Sequence, residues 1–131
     1  MSEILKEGKY IHDIVKWEAN DEYSREVVTI ASGNGKLEAG TVLEVSASTG
    51  KYSKLSYTAA DDPTPASVGT PAAVLLQDAD ATSADQTAVV VVRSAIVVDT
   101  QLVWPTDIDE DSKAAAAADL TSLGIVIRKG V

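Results

Sequence analysis

The 131-residue sequence contains no cysteine. That excludes a disulfide framework and thiolate metal sites, so packing alone must hold the fold in any redox compartment. Basic charge is also scarce. Lys plus Arg is 11 against 20 for Asp plus Glu, giving a net charge of −9. Phosphate binding needs a basic patch and none is visible, so no nucleic-acid partner is expected. Histidine occurs once, as His12, and the sequence holds no G-x-S-x-G turn. A Ser/His/Asp triad and a histidine-based metal site are therefore disfavoured. No apolar run approaches the roughly 20 residues of a membrane helix. Residues 1–9 lack the apolar core of a signal peptide. The expectation is a soluble chain made in a cytoplasm, with no membrane partner.

What is present is concentrated in residues 87–128. Ala88-Val89-Val90-Val91-Val92 is a run of small and β-branched residues, which favour a pleated strand and make poor helices. Arg93-Ser94 interrupts it and Ala95-Ile96-Val97-Val98 resumes it, which predicts a hairpin turning at Arg93-Ser94. Both runs are apolar on both sides. Strands of that kind need cover on two faces, and part of the cover is expected from another subunit. Leu102-Val103-Trp104-Pro105 predicts a further strand that ends where Pro105 removes a donor. Asp109 is a good helix N-cap, with Glu110 and Asp111 in the first turn. Ala114 to Ala118 is strongly helix-forming, Gly124 stands where a helix stops, and Ile125-Val126-Ile127 returns to a sheet.

Further upstream, Glu26-Val27-Val28-Thr29-Ile30 and Thr41-Val42-Leu43-Glu44-Val45 read as strands, with turns at Ser32-Gly33-Asn34-Gly35 and Leu37-Glu38-Ala39-Gly40. Gly35-Lys36 is not a phosphate loop. That motif needs a glycine where Ile30 stands and Ser or Thr where Leu37 stands. A short strand begins at Lys51-Tyr52. Residues 59–71 carry three prolines and read as an ordered surface loop. Residues 72–77 read as a strand and 78–86 as a polar loop. Residues 1–20 interleave charge with Tyr10, Ile11, Ile14, Val15 and Trp17. Ile11, Ile14 and Val15 at helical spacing suit one amphipathic turn. This segment is expected to be an arm that gains structure on a partner, against the alternative of a helix folded onto its own domain. The division is an arm over 1–23 and one domain over 24–131.

Candidate chemistry is thin. Asp107, Asp109 and Asp111 alternate as in a calcium loop, but Ser112 and Ala118 occupy the positions that need glycine and glutamate. Helix capping accounts for the same carboxylates without a metal. Trp104 beside Pro105 suits either a sugar-stacking platform or, more simply, an anchor at a sheet end or subunit contact. No cofactor motif is found, no metal site is expected, and an enzyme is not expected.

Several segments, taken in order, resemble the family of the lambda phage head decoration protein. They are Val27-Val28-Thr29-Ile30-Ala31-Ser32-Gly33, Leu37-Glu38-Ala39-Gly40-Thr41-Val42-Leu43, Gly50-Lys51-Tyr52, Asp80-Ala81-Thr82, Ala88 to Arg93, Leu102-Val103-Trp104-Pro105, and Leu123-Gly124-Ile125-Val126-Ile127-Arg128. The resemblance implies a mainly β domain of α+β class, β-clip-like (β-tulip), with one or two short helices. It implies a homotrimer on the outer surface of the expanded virion capsid, assembled in the host cytoplasm. Seated at three-fold and quasi-three-fold positions, the trimer would clamp the major capsid protein against the pressure of packaged DNA. On this reading Tyr10, Ile11, Ile14, Val15 and Trp17 contact the capsid, and Trp104 and Pro105 anchor a sheet end or subunit contact. Two other classes remain open. A carbohydrate-binding module would cluster exposed aromatics, and a small enzyme would join Asp80 or Asp85 to Asp107 in one cleft.

Overall fold

The computed structural model describes residues 14–18, 24–61 and 63–129. Its centre is a closed five-stranded barrel. The barrel strands are β2 (Arg25–Ile30), β4 (Val42–Val45), β5 (Tyr52–Lys54), β8 (Ala73–Leu75) and β10 (Gln86–Val91). They join in the order β10-β2-β5-β4-β8, and β8 returns to β10. The longest seam is β10 against β2, six antiparallel pairs from Gln86↔Ile30 to Val91↔Arg25. A small antiparallel pair, β3 (Gly35–Leu37) with β9 (Ala79–Ala81), adjoins the barrel. A second pair joins β6 (Tyr57–Thr58) to β7 (Ser67–Val68).

Outside the barrel lies a three-stranded sheet of β1 (Val15–Glu18), β11 (Ala95–Val98) and β12 (Ile125–Arg128), in the order β1-β11-β12. β12 runs parallel to β11, which requires a crossover between them. Helix α1 (Glu110–Ser122) lies in that crossover. The Asp109 carboxylate accepts from the Ser112 amide at 2.8 Å and caps the helix N-terminus. Its partners at the other end are Leu123 in helical geometry and Gly124 at φ 86°, where the Gly124 amide donates to the Thr121 carbonyl at 2.9 Å. Ser112, Ala116 and Leu120 are the helix's buried residues. Four-residue spacing aligns them on one stripe.

Side chains alternate between the faces of a strand, and here the two faces feed two cores. One cluster fills the barrel: Ile30, Leu43, Ala73, Leu75, Ala88 and Val90, with Leu37 and Ala81 from the adjoining pair. The neighbouring positions Val42, Val74 and Val91 face outward into the other cluster. There they meet Ile14, Val15, Ala95, Val97, Ala116, Leu120 and Ile125 from the outer sheet and α1. Strands β4, β8 and β10 are apolar on both sides because they divide two cores. The chain's own outer sheet and helix thus cover much of the second face of β10.

Three expectations about elements change. β10 and β11 are not a hairpin, because they belong to different sheets. A two-residue hairpin of the favoured type needs positive φ at both turn residues. Ser94 has φ 52° and Arg93 does not have positive φ. The chain is instead turned away at this point by bonds to other segments. The Val92 amide donates to the Ser24 carbonyl at 2.8 Å, the Ser24 hydroxyl to the Ser94 carbonyl at 3.1 Å, and the Ala95 amide to the Gly124 carbonyl at 3.1 Å. Residues 102–105 are not a regular strand. A 3-10 turn at Asp99–Gln101 precedes them, and a single parallel bridge, Thr41↔Val103, is all that forms before Pro105. The polar stretches 59–71 and 78–86, read as loops, contain β7 and β9 respectively.

Candidate binding surfaces

Strand β1 lies inside the stretch read as an arm. It pairs with β11 at Val15↔Val97, Trp17↔Ile96 and Glu18↔Ala95, with a bulge between Val15 and Trp17. Ile14 is fully buried and Val15 nearly so. Both face the chain's own core. The bulge shifts the register, and Trp17 emerges 54% exposed. Glu18 fastens the strand sideways to the barrel through Arg25, whose Nε donates to Glu18 Oε2 at 3.0 Å and whose Nη2 lies 2.8 Å from Oε1. This two-point contact has the geometry that suits guanidinium and carboxylate. Tyr10 and Ile11 lie outside the described residues.

Arg25 and Val27 share a face of β2, two residues apart. That face also carries Val27's partner Val89 across the seam. Val27 is 71% exposed. Trp17 and Val27 are thus exposed large apolar side chains on the two strands that the Glu18–Arg25 ion pair ties together. Val27 was placed in a strand by the sequence, but nothing in its pattern marked it as exposed.

The second candidate surface centres on Trp104. Its ring packs against the outer core cluster, and Lys113 of α1 places Nζ 5.7 Å from the ring centroid. That distance is within range of a cation–π contact. The Trp104 Nε1 atom is buried without a hydrogen-bond partner among the described residues. Trp104 separates two grooves. The larger, about 710 Å³, is bordered by Leu37, Glu44, Leu55, Tyr57, Trp104 and Pro105. The smaller, about 360 Å³, runs beneath α1 between Asp99, Trp104 and Lys113. Pro105 forms part of the larger groove's wall, and Trp17 lines neither.

The acidic residues considered for chemistry serve as loop fasteners. Asp78 Oδ1 accepts from the Ala39 amide at 2.8 Å. The Thr82 hydroxyl, at 2.6 Å, and its amide, at 3.1 Å, donate to Asp80 and hold that carboxyl below its usual range. The Lys51 ammonium and the Ser32 amide do the same for Asp85. The Ser112 hydroxyl and amide lower Asp109 likewise. Asp107 turns the chain ahead of the helix at φ 62°. Neither groove is lined by Asp80, Asp85 or Asp107. Among the described residues, no group of three or more His, Cys, Asp or Glu is placed to hold a metal ion.

The described residues thus form a barrel with a second apolar layer, two grooves that meet at Trp104, and acidic side chains engaged in loop fastening. The family described as bacteriophage lambda head decoration protein D matches residues 4–125, nearly the whole chain. The chain belongs to that family. No curated protein matches it. The family is one of structural phage capsid proteins, so the chain's role is capsid decoration and its place is the virion capsid.

Proposed function

We propose that the chain is a non-enzymatic cement protein whose homotrimers sit on the outer surface of the expanded phage head. There, at three-fold and quasi-three-fold positions, they clamp neighbouring major capsid protein subunits against the pressure of packaged DNA. The observation that carries this reading is the family match over residues 4–125. The match takes in the N-terminal segment as well as the barrel. Ring closure by one repeated heterologous contact makes a symmetric trimer possible without any further partner.

On this reading the capsid contact is built from Trp17 and the residues before Ile14, Tyr10 and Ile11 among them. Ile14 and Val15 support it from beneath by fixing β1 to the outer core. Aromatic anchors carry much of an interface's energy. Three such contacts on one trimer would act together, so that effective concentration supplements modest single-site affinity. Trp104 and Pro105, at the larger groove, are assigned to the contact between copies. A neighbour's acceptor would satisfy the buried Trp104 Nε1 donor, which is costly to leave unpaired.

Co-sedimentation with purified heads tests the proposal. The chain should travel with expanded heads, and a variant lacking residues 2–13 should fold but remain in the supernatant. Retention of the truncated chain on heads would remove residues 2–13 from the contact. Failure of the full chain to bind any head would remove the cement role itself.

A further inference from the structure

The hairpin of β6 and β7 pairs with no other strand among the described residues. A two-stranded hairpin is marginally stable by itself in water. Its outer part is exposed, and the tip closes on mutual backbone bonds between Asp61 and Thr64. Yet Ser56 and Tyr57, at its root, form a wall of the larger groove beside Trp104. Something must seat it.

The attachments gather at that root. The Leu55 amide donates to the Val42 carbonyl at 3.0 Å, and Val68 packs against the outer core. Glu44 reaches across from β4. Its Oε1 accepts from the Ser56 amide at 3.0 Å and from the Ser56 hydroxyl at 2.9 Å. On the returning limb, the Gly69 amide donates to the Ser56 carbonyl at 2.9 Å. The space beside Gly69 is occupied by the same carboxylate. A Cβ built there would overlap Glu44 Oε1 and stand 2.7 Å from Ser56 Oγ. One barrel carboxylate therefore holds the outgoing limb at Ser56 and fills the space beside Gly69, whose amide ties the returning limb to that same residue.

We infer that Glu44 is a latch and that the β6–β7 hairpin is a hinged strap whose seating shapes the Trp104 groove. Bonds to an ionised acceptor are stronger than neutral ones, and these are concentrated at one place. The strap opens as a local unit while the β2–β10 seam, with six paired positions, stays closed. This device does not depend on what the groove binds, nor on the capsid reading.

Hydrogen exchange on the full chain tests it. Removing the acceptor in Glu44→Ala should speed amide exchange within residues 56–69 by about tenfold, the scale of a lost charged bond. Amides of β2 and β10 should keep their original rates. Glu44→Gln retains an acceptor oxygen and should restore slow exchange. Gly69→Ala removes no hydrogen-bonding group, but its methyl displaces the carboxylate, so it should reproduce the Glu44→Ala pattern. Unchanged exchange in residues 56–69 overturns the inference. So does acceleration spread evenly over the barrel, which would make Glu44 a general stabilising residue. Should Glu44→Ala fail to fold, Gly69→Ala decides between the same outcomes.

Discussion

Replacing Ile14 by alanine probes the point at which the N-terminal segment becomes part of the domain. The Ile14 side chain is fully buried, in one cluster with Val97, Leu120 and Ile125. Truncating a buried isoleucine costs about 2–5 kcal/mol, from lost transfer energy and the cavity left behind. Here β1 is held by β11 and by the Glu18–Arg25 pair. The strand can relax inward only by straining both, so the cavity should collapse poorly and the loss should fall near the middle of that range. Domains of this size are stable by roughly 5–15 kcal/mol, so the variant should fold with a clearly lower urea midpoint and an unchanged slope. Trp17→Ala, by contrast, removes an exposed ring and should change stability by less than about 1 kcal/mol, since surface substitutions rarely do more. Equilibrium urea unfolding of the two variants beside the parent makes the comparison. If Ile14→Ala proved as harmless as Trp17→Ala, β1 would not be packed as described, and residues 14–18 would belong to a free arm.

Other perturbations have equally definite outcomes. Asp109→Ala should lower the melting temperature by a few degrees, as loss of an N-cap does, and chelators should leave the parent unchanged. The folded carboxyl titrates below its ordinary value, so the cap's contribution is present above that ordinary value and is lost as pH falls through the folded one. The melting temperatures of parent and variant should therefore converge in strong acid and stay apart at neutral pH. Gly124→Ala forces a side chain into φ 86° with its Cβ 3.1 Å from the Ser94 amide nitrogen; calorimetry should show a loss of about 1–3 kcal/mol, the cost of left-handed geometry without glycine. Trp104→Ala removes a partly buried ring, so its cost should lie at or below about 3 kcal/mol, the lower end for full burial. Analytical ultracentrifugation should show that it also weakens the proposed trimer, and a stable trimer of unaltered affinity would take Trp104 out of the subunit contact.

The helix was the most legible element. Asp109, the alanine run and Gly124 each act locally, so sequence alone placed start, body and stop, and the return to β12 followed. The valine runs were legible as strands but not as partners. Whether Val92 and Ala95 flank a hairpin or a passage between sheets depends on Ser24 and Gly124, which lie far away in sequence. The same limit applies to cover. Apolar character on both faces of β10 says that two layers are needed, not that the second comes from β1, β11, β12 and α1. β7 and β9 were missed because strands of two or three residues within Pro- and Asp-rich stretches carry almost no periodic signal. In the N-terminal segment, Ile14 and Val15 look no different from Trp17 in composition. The bulge between Val15 and Trp17, which separates buried from exposed, is a feature of pairing with β11. Glu44 gave no sequence signal at all, since its role comes from Ser56 and Gly69 meeting in space.

Image reconstruction of expanded heads mixed with the purified chain tests the central claim most directly. The account predicts three-lobed density on the outer surface at three-fold and quasi-three-fold positions, with Trp17 directed at the major capsid protein. Bare heads under saturating protein, single-chain density, or density confined to the inner surface would contradict it.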